Sequence, residues 1–165
     1  MLNKVNIKMV FGIVVLAILT RLLPHPPNFA PITSIALFSG FHFKDKRFAI
    51  FFPLSCMFIT DIYLGFHSLV PVIYSCFAIN TYIGLKFKKL TLPSVLLASF
   101  SFFLISNLGV WFLSYPTNLS GLTTCFILAL PFFVNSLSGD LFYSLVLDLS
   151  VKKIKQPKFI LIRSY

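Results

Sequence analysis

The sequence predicts an all-α integral membrane protein of six transmembrane helices, with its N- and C-termini in the cytoplasm. Three observations carry that prediction. The 165-residue chain is 58 % hydrophobic and only 11 % charged, well outside the balance of a water-soluble domain. Its apolar residues fall into six runs, about 5–23, 31–43, 47–65, 69–86, 93–115 and 121–150. The basic residues between the runs sort to one side of the membrane.

The runs are justified in turn. A bilayer span needs about 20 residues at 1.5 Å rise each. The first run follows Lys4 and Lys8 and is not succeeded by a small-residue cleavage site, so an uncleaved helix is expected rather than a signal peptide. The second is short and reaches only part of the way across. The sixth is long and contains Pro131, so a kink or break is expected there. With the N-terminus inside, Lys4, Lys8, the turns "KDKR" (44–47) and "KFKK" (86–89) and the tail "KKIKQPKFILIRSY" all face the cytoplasm. The outer loops "PHPPNFA", "GFHS" and "SYPTNLSG" carry no Lys or Arg, and Arg21 is the single basic residue on the outer side. Residues 1–150 form one transmembrane domain, and 151–165 a basic tail suited to the membrane surface.

The net charge of +10 does not indicate nucleic-acid binding, because the basic residues come in short clusters between apolar runs. Cys56, Cys76 and Cys125 lie within apolar segments at no metal-ligand spacing and read as helix-packing thiols.

Ionisable groups are costly in hydrocarbon, so each needs a partner, a wet cavity or a function. Arg21 and Asp61 lie at similar depth at the outer ends of helices 1 and 3, and a structural ion pair is expected between them, with ligand contact as the alternative. Asp140 lies within helix 6 and has no basic partner in helices 2 to 5. Helical spacing puts Ser136, Asp140 and Tyr143 on one face, with Asn135 and Gly139 beside it. Asn107 and Trp111 share a face of helix 5, continued by Tyr115. For Asn135 and Asp140 a ligand role and a packing role stand side by side; Trp111 and Tyr115 also fit as interface aromatics. Ala36 and Gly40 make a small-xxx-small pair on helix 2, and Asn80 suits a bond to a neighbouring helix.

The stretch "RLLPHPPNFAPITSIALF" (21–38) puts a rigid corner at the outer mouth. Pro24, Pro26, Pro27 and Pro31 fix four φ angles and remove four donors. A stiff loop loses little entropy when a ligand orders it, so His25 and Asn28 are candidate ligand contacts; a plain fixed-angle link between two helices is the alternative.

Enzyme motifs are missing: there is no Gly-rich phosphate loop, no metal-binding His-Glu pattern and no nucleophile elbow. No enzymatic activity, cofactor or metal is expected. No helix carries the continuous polar stripe that a channel needs.

"RLLPHPPNFAPITSIALFSG", "TDIYLGFH", "SNLGVWFLSYP" and "ALPFFVNSLSGDLFYS" together resemble a family of small, uncharacterised bacterial membrane proteins classed as transport proteins. That family is similar in size, helix number, orientation and outer loop to the substrate-binding S components of energy-coupling-factor transporters. The resemblance implies a bacterial plasma (inner) membrane and an outward pocket built from helices 4 to 6 and the outer loops. It also implies a small substrate such as a vitamin, a vitamin precursor or a metal ion, and a transmembrane coupling protein with cytoplasmic ATPases docked on the helix 1–3 side. Helix 1 departs from the pattern, because it lacks an Ala-xxx-Ala docking motif, so transport without such a partner stands as an alternative.

The expected site is therefore an outward pocket of Asn107, Trp111, Asn135, Asp140 and Tyr143, closed over by loops 24–31 and 64–69. A pocket with an acid and several aromatics suits a cationic or aromatic molecule. The competing reading is a non-transporting scaffold whose buried polar residues serve helix packing only; an intramembrane enzyme would need several acids or histidines meeting at one point.

Overall fold

The computed structural model describes residues 7–22, 24, 26–43, 45–87 and 89–155. These form six helices and no strand: α1 (Ile7–Leu22), α2 (Ile32–His42), α3 (Lys46–Leu64), α4 (Val70–Phe87), α5 (Leu92–Ser114) and α6 (Leu119–Lys155). Four of them, α3 to α6, are long and apolar enough to cross a membrane.

The centre of the bundle is its shortest helix. Every residue of α2 from Ile32 to Phe41 is buried, and α2 touches each of the other five helices. A helix apolar all round belongs inside a protein. At 11 residues it is about 16 Å long, half of an apolar layer about 30 Å thick. Its closest neighbour is α4. Gly40 lies directly against Thr81, Gly84 and Leu85, and Gly84 lies against the Leu37 backbone, so that a Cβ on either glycine would collide with main-chain atoms. Gly40 of the Ala36/Gly40 pair thus lies in a helix crossing, with Gly84 as its counterpart. Around α2, Ile13 and Ala17 of α1, Phe52 and Met57 of α3, Phe77 of α4 and Leu147 and Val151 of α6 complete one core.

Local chemistry sets the helix ends. The Asp45 carboxylate accepts from the Arg47 and Phe48 amides at 2.7 and 3.1 Å and starts α3. Thr91 and Ser94 form a reciprocal capping box at the head of α5. The Asn118 side chain accepts from the Gly121 amide at 2.8 Å and starts α6.

Two expectations change. α6 is not broken at Pro131; its helix runs unbroken for 37 residues. Pro131 is exposed on that continuous helix, so its ring points away from the bundle. α6 also continues to Lys155, five residues past the expected end of the span at 150, and so takes up the first part of the basic tail. The rest of that tail, 156–165, lies outside the described residues.

The outer surface is apolar. Of the α5 span only 22 % is buried inside the bundle, and Leu96, Leu97, Phe100, Leu104, Leu108 and Phe112 face outward. Patches of this size on a soluble monomer mark an interface; here they ring a helical bundle as lipid-facing side chains do.

The glycine crossing yields a matched prediction. Gly40→Ala forces α2 and α4 apart and destabilises by about 1–3 kcal/mol, the cost of overpacking. Gly12, with nothing within 4 Å of an added Cβ, tolerates the same change. Thermal unfolding in detergent, followed by circular dichroism, compares the two.

Candidate functional site

The loop between α1 and α2 is a built turn. The Phe29 amide donates to the Pro26 carbonyl at 3.0 Å, with Pro27 at the second turn position and Asn28 at the third. Asn28 has φ +64, a left-handed conformation that asparagine tolerates better than most residues. Proline followed by a residue of positive φ is the signature of a type II turn. The turn delivers Phe29 onto α6, where its ring lies 5.6 Å from the Tyr143 ring and 6.2 Å from that of Phe142. Gly139 makes room: a Cβ there would stand 3.2 Å from the Phe29 Cα. The corner is thus clipped down, with Pro27 and Asn28 over the space between α5 and α6. His25 lies outside the described residues.

Beneath it is a cavity of about 390 Å³. α4 contributes Ile73; α5 contributes Phe102, Phe103, Ser106, Asn107 and Val110; α6 contributes Cys125, Leu128, Ala129, Phe132, Phe133 and Ser136. Pro27, Asn28 and Tyr115 complete it from the loops. On α6 the residues 125, 129, 132, 133 and 136 repeat at helical spacing and form one inward face. The walls are aromatic: Phe103 packs against Phe126 and Phe133, with centroids 5.5 and 4.6 Å away. Much of the wall polarity is already used. Ser106 Oγ donates to the Phe102 carbonyl at 2.6 Å, and Asn107 Nδ2 to the Phe103 carbonyl at 2.7 Å. No lining residue carries a charge.

Of the expected pocket, the structure brings Asn107 and Asn28 to the cavity and leaves four residues out. Trp111 turns to the α5–α6 loop, where its indole Nε1 donates to the Pro116 carbonyl at 3.0 Å. Asn135 lies about 100° around α6 from Ser136 and is half-buried off the lining. Tyr143 is packed under Phe29. Asp140 is sealed below the cavity, 1 % exposed. Loop 64–69 contributes no lining residue. The residues that replace them include four phenylalanines, whose only sequence signal is the pairing Phe102–Phe103 and Phe132–Phe133 at matching depth.

Asp140 ties three helices. Its Oδ2 accepts from Ser99 Oγ of α5 at 2.6 Å, and the Thr33 side chain of α2 also bonds the carboxyl. Its backbone carbonyl accepts from Ser34 Oγ at 3.0 Å, and Ser34 in turn accepts from Ser144 Oγ at 3.1 Å. On α4 and α5, Ser101 Oγ donates to Asn80 Oδ1 at 2.9 Å, which places Asn80 in an interhelical bond.

Arg21 and Asp61 meet at 2.8 Å, with side chains 17 % and 3 % exposed. Arg21 Nη1 also donates to Thr60 Oγ1 at 2.6 Å, and Tyr74 OH donates to the second carboxylate oxygen at 2.8 Å. The cluster therefore joins α1, α3 and α4, and neither charge lines the cavity.

A family model described as a family of unknown function (DUF6580) matches residues 2–160. Neither a curated protein nor a solved structure matches the chain.

The ion pair generates a test. Asp61→Asn leaves the half-buried Arg21 guanidinium without its counter-charge; breaking a buried pair costs about 3–5 kcal/mol, and this one falls at the low end of that range. Arg21→Met combined with Asp61→Asn costs less than Asp61→Asn alone, because no unpaired charge remains. Thermal midpoints of the two variants against wild type decide it.

Proposed function

We propose that this chain, which belongs to the DUF6580 family of unknown function, is a small-molecule uptake protein of the bacterial plasma membrane. Six helices enter the bilayer, α2 only in part, with both termini in the cytoplasm. The supporting observation is the cavity under the clipped loop. Its volume, about 390 Å³, lies within the range of small-molecule sites. It sits among α4, α5, α6 and the outer loop, the place implied by the resemblance to S components of energy-coupling-factor transporters. In this orientation it occupies the outer half of the membrane and takes its ligand from outside.

The wall chemistry narrows the ligand. A charged molecule would be desolvated there without a counter-charge, at a cost of several kcal/mol. The cationic reading rested on Asp140, which does not reach the cavity. An uncharged, largely aromatic molecule stacks on Phe102, Phe103, Phe132 and Phe133 and is oriented by Asn28, Asn107 and Ser136. A neutral vitamin or vitamin precursor meets that description. Ligand binding biases a two-state protein. The chain carries no nucleotide-binding motif, so ATP energy reaches it only through a coupling protein with cytoplasmic ATPases.

One observation favours the scaffold reading: Arg21, Asp61 and Asp140 bond groups on neighbouring helices, as does Asn80 through its Oδ1. The two readings separate experimentally. A neutral aromatic ligand at 100 times its dissociation constant adds about 2.7 kcal/mol of stability, measured as a thermal shift against a panel of vitamins and precursors in neutral and charged forms. Ala129→Leu, which fills the cavity, removes the shift; Phe112→Ala on the outward face keeps it. No shift from any compound, with Ala129→Leu otherwise like wild type, favours the scaffold.

The topology has its own test. Cys56, Cys76 and Cys125 are buried, so background labelling is low. In intact cells an impermeant maleimide labels Thr117→Cys and spares Lys46→Cys; the reverse pattern inverts the orientation.

A further inference from the structure

α6 carries a polar residue at every fourth position along its inner half: Ser136, Asp140, Ser144, Asp148 and Lys152. Neighbours four apart are adjacent on a helix, each step turning about 40°, so the row winds from the buried Ser136, Asp140 and Ser144 out to the exposed Lys152. Its upper end, Ser136, lines the cavity. Lower down, Ser144 and Asp148 line a second pocket with Ser34 and His42. That pocket measures about 10 Å³, room for about one water molecule. Asp140 lies between the two spaces. It is one turn below Ser136, and its own backbone carbonyl is bonded to Ser34, which is bonded to Ser144 at 3.1 Å. Both of those hydroxyls line the lower pocket.

The surroundings of Asp140 hold no counter-charge among the described residues. α5 contains no Asp, Glu, His, Lys or Arg. The one titratable residue of α2 is His42, at the level of the lower pocket, where its Nδ1 is 3.0 Å from the Phe38 carbonyl. On α6, Tyr143 is packed against Phe29, and Asp148 is paired with Lys152 at 2.6 Å. Arg21 is engaged by Asp61. The carboxyl therefore faces hydroxyls alone: Ser99 at 2.6 Å and Thr33. Serine or asparagine would serve a purely structural bond at this place. A carboxyl adds a proton that can be exchanged, and an ionisable residue within a membrane bundle marks such pathways.

We propose that Asp140 is a proton-binding site between the ligand cavity and the inner face, and that uptake through the cavity is proton-linked. The direction rests on the uptake reading above. The carboxylate takes one proton from the cavity side past Ser136 and loses its negative charge. The proton leaves towards the lower pocket, whose Ser34 and Ser144 hydroxyls stand against the Asp140 backbone and whose Asp148 and His42 are the next acceptors. Only O–H and N–H bonds form and break, and no electron pair changes owner between molecules. A driving force then resides in the chain itself, beside any coupling partner.

The test needs no ligand. Infrared difference spectra are taken on the full-length protein in phosphatidylethanolamine–phosphatidylglycerol vesicles, from mildly alkaline to mildly acidic pH. A chain with four acidic residues, all aspartates, has a simple carboxylic-acid region. The expected result is a protonated-carboxyl band that grows on acidification, is lost in Asp140→Asn and changes frequency in Ser99→Ala. The double variant Ser34→Ala, Ser144→Ala keeps the band and slows its response to a pH jump. Should Asp140→Asn fail to fold, the Ser99→Ala frequency change assigns the band. A band that stays constant with pH, or no band that responds to either substitution, overturns the proton site. A titrating band with no ligand bound by any compound of the panel leaves the proton site standing and sinks the uptake reading. A constant band with ligand binding intact does the reverse.

Discussion

The burial of α2 on every side is the constraint on which the other elements depend. A helix of 11 residues enclosed by five others has no water for its side-chain polar groups. Each therefore finds a partner on a neighbour or on its own backbone. Ser39 bonds the Ala36 and Ala49 carbonyls, both at 2.8 Å; Thr33 and Ser34 bond Asp140. Those bonds locate α3 and α6. The bare Cα of Gly40 locates α4. The entry to α2, Pro31, whose carbonyl accepts from the Ile35 amide at 2.8 Å, ends the turn that puts Pro27 and Asn28 over the cavity. The cavity roof is thus fixed from the core outward.

Two buried carboxylates are handled in opposite ways. Asp61 has a guanidinium, a phenol and a place near the outer ends of three helices, so it acts as a clamp. Asp140 has hydroxyls only. In a low-dielectric interior a charge pair is worth much more than in water, and an unpaired charge costs much more. The two sites thus differ in whether a counter-charge stands beside the carboxylate, although both sit at helix–helix contacts.

The helices were readable because apolar runs broken by charged turns give both their number and their approximate ends. The expected 31–43 and 93–115 fall within two residues of α2 and α5. The meeting of Arg21 with Asp61 was also legible, since two isolated charges at one depth have few other partners. The cavity was not. In water, an inward face differs from an outward one by its polarity. Between lipid and core both faces are apolar, so the inward Phe102 and Phe103 look no different from the outward Phe100 and Phe112. Polar residues were the remaining guide, and they misled for a physical reason. Trp111 and Asp140 are polar at helical spacing from cavity residues, but both satisfy protein groups, as a buried polar atom must.

α6 is one stiff member serving three places. At its upper end it forms a cavity wall and holds the loop through Gly139 and Phe142; in the middle it carries Asp140; further along, Leu147 and Val151 belong to the central core. Its 37 residues make a rod of about 55 Å, longer than an apolar layer of about 30 Å. A rod does not shorten, so a tilt imposed at the cavity end appears undiminished at the far end, with the sense reversed about whatever contact acts as fulcrum. The serine and threonine contacts to α2 and α5 around Asp140 lie between those ends. A change at those contacts alters the grip on the rod at its pivot, where a small local shift has the longest arms on both sides.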